Sequence, residues 1–526
     1  MNRSTLSLLA AATALAALTG VAAITSPDTP ATATPGTAAP ARLPVERSSL
    51  LCPAPSSSEV AETAYTSFTP AGSGDKSTGK AEKTDKAELK PSAPSRDTTA
   101  AEDDDKQDGQ QDEEKETEKA KPSAADKAVL TATTPGTPVS AEADGATAPA
   151  LIGLASGRLA PGWTTQQTTL VPAGGARGLL GVSCTPPDTD FWFPGVSTAE
   201  NRRDYVHLTN PDDTAAVVDI ELYGPEGPLK SQLTDGIGVP AKSSVPVLLS
   251  TLTADPAATN VTAHVTTRSG RVGAAVQSAV DQLGSDWLTA STDPAATLVL
   301  PGIPADATSV QLVVYAPGED DAEMKIQLMG PTGTITPAVQ QSIRVKSGMT
   351  AAADLKDLTS GEAGSLLLSP AQAGRSTPVV AALRVIRGAG EKQEVAFVPA
   401  TSPVGERGSI AGNTAKNTTL FLAATGKGDA EVKVTASAGT EGGTPATKTY
   451  TVKGGTTQAV TPPVPSGLKG AYALTVEPAP GAQVHAARML TRKEGEVEMF
   501  TLQPLTDDGS HVAVPEARQD LTVLDR

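Results

Sequence analysis

The densest chemistry in this chain is aromatic. Phe191-Trp192-Phe193-Pro194-Gly195 puts three rings into five residues, just after Cys184, in a chain with only three Trp, six Tyr and six Phe. Rings gathered in this way could form a binding platform for sugar rings or for a partner surface, because each offers a large, rigid apolar face. Core packing beside a disulfide, as for a Trp in immunoglobulin domains, is the reading that their large burial favours. On a strand, Phe191 and Phe193 share one face and Trp192 takes the other. Trp192 is therefore the better surface candidate and the two phenylalanines the better core candidates.

The other reactive residue types are sparse. His207 lies in VHLTN, out of phase with Val206 and Leu208; His264 lies in TAHVT, His485 in QVHAAR and His511 near the end of the chain. All four read as exposed strand residues, with no Cys, Asp or Glu at ligand or triad spacing. Neither GxSxG nor HExxH occurs. Asp212-Asp213 and Glu319-Asp320-Asp321 fall in equivalent turns. Calcium requires six to eight oxygen ligands, and the third such turn supplies only Asp429, so solvated turns are expected. Gly74 to Lys80 fits GxxxxGK, but Ala81 stands where Ser or Thr would hold magnesium and no strand pattern precedes it. Gly236 to Ala241 fits GxGxxA, but Pro240 sits where a helix should open. From the residues, no catalytic group, metal or cofactor is expected.

Composition narrows the function further. The 526 residues carry a net charge of −17. A nucleic-acid binder needs a basic face, because phosphate contacts supply most of its affinity. The low aromatic content argues against a large aromatic-walled pocket.

The N-terminus reads as an export signal. Arg3 precedes an uncharged run from Leu6 to Ile24, and polar SPDTPATATPG follows. That order describes a secretory signal peptide, with cleavage after Ala23 or Ala33. The alternative is an uncleaved membrane anchor, since a span needs roughly 20 apolar residues. Either reading places the remainder outside the cytoplasm, where two cysteines are expected to pair. Cys52 in LLCPAP and Cys184 in VSCTPP are the only two.

A bond between them would loop out a segment of unusual composition. About half of residues 73–127 are Asp, Glu, Lys or Arg, and none is aromatic. Such a segment buries too little apolar surface to offset chain entropy, so Ser73 to about Ala148 is expected to be a disordered charged linker.

From about residue 150 the texture is β. AAVVDIELYG, SVPVLLSTL, NVTAHVTT and VGAAVQSAV are short alternating or apolar runs bounded by Gly, Pro, Asn or Asp. Three longer segments resemble one another: VHLTNPDDTAAVVDIELYGPEG near 206, LVVYAPGEDDAEMKIQLMGPTG near 312 and LFLAATGKGDAEVKVTASAGTEG near 420. Each closes later on a Gly turn and a β run: GRVGAAVQSAV, GRSTPVVAALRVI and GAQVHAARML. A period of about 100 residues is too long for a propeller blade and has the size of an immunoglobulin-like sandwich.

CTPPDTDFWFPGVSTAENRRDYVHLTNPDDTAAVVDIELYGPEGPL, with the upstream LLCPAP and the later GRVGAAVQSAV and DWLTAS, resembles an uncharacterised secreted actinobacterial family filed as domain of unknown function 5719. The resemblance covers roughly 45–70 and 150–520. It implies an exported, envelope-associated protein and supplies no reaction.

The expected organisation is all-β: three tandem immunoglobulin-like β-sandwich repeats of about 100 residues, with a disordered charged insert near the N-terminus. The boundaries read as a signal peptide or signal anchor (1–33), a segment adding strands to the first β unit (34–72), a disordered charged linker (73–148), three sandwiches (149–300, 301–405 and 406–515) and a tail (516–526). The expected function is that of a non-enzymatic cell-envelope scaffold or binding module. The alternatives are a wall-polysaccharide-binding accessory protein or a wall-metabolising enzyme. The expected partner is a cell-wall polymer or an envelope protein. No nucleic acid is expected, and the membrane is met only through an uncleaved N-terminal segment.

Overall fold

The computed structural model describes residues 41–72, 85–93, 127–372 and 374–514. The expected signal segment (1–33), the tail (516–526), the GxxxxGK match and most of the charged insert lie outside them. Residues Pro44–Val512 form one compact unit. Of the second unit, residues 1–43 and 513–526, only 41–43 and 513–514 are described, all in extended strands. Among the described residues no helix is long and apolar enough to cross a membrane.

The large unit is built of strands in four consecutive groups. The first holds β1 (Arg47–Cys52), β2 (Glu62–Phe68), β3 (Ala87–Pro91), β4 (Leu130–Ala132), β5 (Val139–Asp144), β6 (Leu151–Ser156), β7 (Thr164–Val171) and β8 (Gly178–Ser183). The second holds β9 (Asp190–Val196), β10 (Arg202–Thr209), β11 (Ala216–Gly224), β12 (Gly227–Pro228), β13 (Ile237–Val239), β14 (Ser244–Leu248), β15 (Val261–Ser269), β16 (Gly273–Val280) and β17 (Gly284–Leu288). In the third are β18 (Leu298–Ile303), β19 (Ala307–Tyr315), β20 (Ala322–Met329), β21 (Thr334–Ile335), β22 (Ser342–Val345), β23 (Thr350–Lys356), β24 (Gly364–Pro370), β25 (Val380–Arg387) and β26 (Glu394–Pro399). In the fourth are β27 (Gly408–Asn413), β28 (Thr418–Ala424), β29 (Ala430–Gly439), β30 (Gly442–Thr444), β31 (Ala446–Val452), β32 (Thr456–Val460), β33 (Ser466–Lys469), β34 (Tyr472–Pro478), β35 (Val484–Glu494) and β36 (Val497–Leu505).

Each group makes two antiparallel sheets that share one apolar core. In the first, the orders are β1-β6-β3-β4 and β5-β2-β7-β8; the other three repeat this plan, with small additions beside the third strand. Core residues come from both sheets of each pair. Val218 and Val265 meet Val206 and Val276 in the second, and Ile326 and Leu368 meet Leu312 and Leu383 in the third.

Two expectations are corrected here. There are four such sandwiches, because the N-terminal strands make one of their own; the expected 34–72, 73–148 and 149–300 cut across it. Residues 87–91, 130–132 and 139–144, inside the expected linker, are its third to fifth strands. KAELK is charged, yet its alternation buries Ala87 and Leu89 while Lys90 points out. The strand order is also not that of an immunoglobulin domain. The second–fifth and third–sixth pairings agree, but there the first strand pairs with the second and the seventh with the sixth. Here the first strand pairs with the sixth and the seventh with the second.

The sandwiches close on one another within this unit. The last strands β8, β17, β26 and β36 touch in cyclic order, β36 returning to β8. The first strand of each later sandwich packs on a seventh strand, β9 on β25, β18 on β35 and β27 on β7. Burial follows from this. The third strands face solvent on one side and alternate, as in AEMKIQLM of β20, whereas LVLPGI of β18 and EVAFVP of β26 are covered on both faces and are buried throughout. The approach is close: Gly302, at φ +92° in the bulge of β18, faces Ala487 so tightly that a Cβ there would sit 2.9 Å from the alanine's.

Candidate functional site

The aromatic pentapeptide forms most of β9. Its register sets Trp192 opposite His264 of β15 and leaves Phe191 and Phe193 on the other face. Both phenylalanines enter the core of the second sandwich, as the alternation implies. Trp192 does leave that core, but it is only 8% exposed because the third sandwich covers it. Its ring stacks on the His264 imidazole at 3.5 Å and lies 5.5 Å from Tyr315, whose ring is tilted against that of Tyr223 at 4.6 Å. The two phenylalanines thus lie in the core, and Trp192, the better surface candidate of the three, bridges two sandwiches instead of facing solvent.

A polar ledge rims this bridge. His264 Nε2 lies 3.2 Å from the Asp190 carboxylate and Nδ1 3.8 Å from Glu221 Oε2. Tyr223 donates its hydroxyl to Glu221 at 2.7 Å. Burial, reinforced by that hydrogen bond, raises the Tyr223 phenol far above its ordinary range, and burial pushes Tyr315 up to about 12. Both remain neutral donors, suited to hydrogen bonding and not to proton transfer near neutral pH.

The expectation of exposed histidines fails for three of the four. His207 and His485 are buried, at 8% and 6% exposure, and burial pushes each down to about 4. His264 is largely covered. Their strand phase was read correctly, since each points out of its own core, but "out" is the face that the next sandwich covers. His485 reaches Thr401 Oγ1 at 3.2 Å. His511 is partly exposed beside Ser510.

Where the four last strands converge lies a polar hub that sequence reasoning missed. Asp286 of β17 accepts the Gly181 N–H of β8 at 3.0 Å and the Thr501 hydroxyl of β36 at 3.1 Å. Arg177, just before β8, donates to Glu394 of β26 at 2.8 Å and to the Gln393 carbonyl at 2.8 Å. All four sandwiches are joined by these contacts. Burial holds the Asp286 carboxyl well above the carboxylate range, against the opposing pull of its donors, and pushes Glu394 up to about 7 despite Arg177. A second buried group, Arg488 of β35, donates to the Ala411 carbonyl, Asn413 and Gln503, and burial lowers it to about 9. The available signal was an ionisable residue inside an otherwise apolar strand, as in GSDWL and HAARML.

The acidic turns hold bases of their own sandwich. Asp212 pairs with Arg271 at 3.1 Å, Asp213 with Lys242 at 3.3 Å and Asp321 with Arg344 at 2.9 Å. Among the described residues no cluster of three or more His, Cys, Asp or Glu is placed to hold a metal. Residues 237–239 of the GxGxxA match form β13, not the start of a helix. Cys52 and Cys184 are bonded, with their Cα atoms 4.5 Å apart, and lie in the first sandwich's core beside Leu50 and Trp163.

Clefts open between sandwiches among the described residues. One of about 820 Å³ separates the first from the fourth and is lined by Glu62, Glu142, Asp144, Arg492 and Lys493 among others. Another, of about 550 Å³, separates the first from the second and has Tyr205, His207 and Gln277 on its floor.

No curated protein and no solved structure matches the chain. A family model does match, over residues 139–463, from the fifth strand of the first sandwich to just beyond β32. That is narrower than the expected resemblance, leaving out β1, β2 and the last strands of the fourth sandwich. With more than half of its length matched, the chain belongs to DUF5719, a family of unknown function.

Proposed function

We propose that this is an exported actinobacterial protein that serves the cell envelope as a non-catalytic scaffold or binding module. It has a cleaved signal or an N-terminal membrane anchor, and its partner is a cell-wall polymer or an envelope protein. The observation that supports this most is the way four sandwiches lock into one body. Asp286, Glu394 and Arg177 spend their hydrogen bonds on neighbouring sandwiches, and the Cys52–Cys184 bond ties the first one internally. A body built so presents fixed loops and strand edges, which suits recognition. The disulfide favours an oxidising compartment. Immunoglobulin-like describes the size of each sandwich and its central pairings, not its edges.

Fractionation of cells producing the full chain, with thiol alkylation before lysis, tests the proposal. The protein should appear in the envelope or medium with neither cysteine alkylated. A cytoplasmic protein with two alkylated thiols overturns it. Retention on purified cell wall identifies the polymer as partner, and hydrolysis of that wall by the purified chain favours the enzyme reading instead.

A further inference from the structure

We infer that the cleft between the first and second sandwiches is a binding site for a small neutral polyhydroxylated ring, of the size of one or two sugar units. Its floor is the outer face of the sheet β14-β10-β16-β17. Arg203, Tyr205 and His207 alternate along β10, with Ala279, Gln277 and Ala275 opposite them on β16 and Pro246 beside His207 on β14. One wall is the segment after β1, with Ala54, Ser56 and Ser57, and the other is the turn before β8, with Gly175 and Ala176. At about 550 Å³ it falls within the usual range of ligand sites.

The floor carries unused hydrogen-bonding capacity. His207 is 8% exposed and neither ring nitrogen has a protein partner. Its ring is held edge-on to Trp287, with centroids 5.1 Å apart. Neutral through burial, the imidazole keeps both nitrogens below the floor's surface, so it shapes the floor while Tyr205 and Gln277 meet the ligand. On its other side lies a void of about 10 Å³, room for a single water. Gln277 donates its amide to the Pro55 carbonyl at 3.0 Å, leaving its own carbonyl oxygen to accept. Tyr205, opposite Gln277 and two residues from His207 along β10, adds an aromatic ring.

The rim selects charge. Arg203 and Asp281 are both exposed at the mouth, and neither has an ion-pair partner among the described residues. The two leave the mouth without net charge, so nothing there favours an ion of either sign, and each can hydrogen-bond a ligand hydroxyl. The wall is fixed in advance, since Pro55 is tied to Gln277 and Cys52 to Cys184. That lowers the ordering cost of binding. The inference does not depend on export, because the geometry is the same in any compartment.

The test is titration of the full chain with glucose, N-acetylglucosamine and cellobiose, followed by calorimetry and saturation-transfer NMR. Acetate and methylammonium serve as charged probes. At least one sugar should bind with a dissociation constant on the order of 1 mM, and Tyr205→Ala should weaken it about tenfold or more with unchanged thermal unfolding. Gln277→Leu should do the same, which keeps the test informative if Tyr205→Ala fails to fold. Absence of saturable binding by all three sugars up to about 50 mM overturns the inference. So does a dissociation constant unchanged by Tyr205→Ala and Gln277→Leu, or preferential binding of a charged probe.

Discussion

The first and third sandwiches share one strand order and differ in what holds them. In the third, long apolar side chains fill both sheets: Leu298, Leu300, Met324, Ile326, Leu312, Leu366 and Leu383 among others. That core continues into the fourth sandwich through Phe421 and Phe500. The first has a smaller core around Leu50, Tyr65, Leu89, Leu151 and Trp163, and it contains the disulfide. Its third and fourth strands have five and three residues, against eight for the third strand of its counterpart. A plan fixed by backbone pairing thus tolerates a weak core where a covalent link and neighbouring sandwiches supply the rest.

Removing the link should have the largest effect. In Cys52→Ser/Cys184→Ser, the chain-entropy model for so long a loop predicts a loss of about 4–5 kcal/mol. Hydrogen exchange should accelerate in β1 and β6 and leave β18 to β26 unchanged; uniform acceleration would show that the two sandwiches do not differ as described. Next, Ile326→Ala in the third core should cost about 3 kcal/mol by urea unfolding, through lost burial and the cavity left behind. A cost under about 1 kcal/mol would mean that this core is not what sustains the third sandwich.

Two ionisable groups buried between sandwiches respond to pH with opposite signs. His207, between the first and second, has a folded pKa of about 4, below the unfolded value of 6.5. Unfolded chains therefore take up its proton first, and stability falls as pH drops from 6.5 to 4. The wild type should lose about 3 kcal/mol more than His207→Phe across that window. Equal losses measured by urea unfolding at the two ends would refute the neutral, buried state. Glu394, joining the third sandwich to the first, runs the other way. Its folded pKa of about 7 exceeds the unfolded 4.5, so its contribution is full below pH 4.5 and is lost as pH rises to 7. Glu394→Gln should remove that decline, on the order of 2 kcal/mol; an unchanged pH slope would place the carboxylate in an ionised, fully compensated pair with Arg177.

Much of the fold was legible, and the failures share a cause. The later three sandwiches follow from their repeated segments, because strands exposed on one face keep a clean alternation, as in AEMKIQLM and AEVKVTASAG. The first sandwich was hidden because charged insertions separate its third and fourth strands and leave each too short to read by period. The site was less legible. Strand phase shows which side chains leave their own core, as for Trp192, His207 and His485, but it carries no sign that a neighbour 100 residues away in sequence covers them. Asp286 and Arg488 carried no expectation for the same reason.

The hub also sets an order of events. Asp286 must wait for Thr501, synthesised 215 residues later, and the Ala411 amide reaches back 245 residues to Gln166. Until the fourth sandwich exists, Leu170 and Leu179 of the first have no Leu490 or Met499 to cover them. Contacts of such long range slow folding and leave apolar surface open to aggregation in the meantime. A chain stopped before β36 would therefore not be a shorter working protein but an unclosed circle with two adhesive ends.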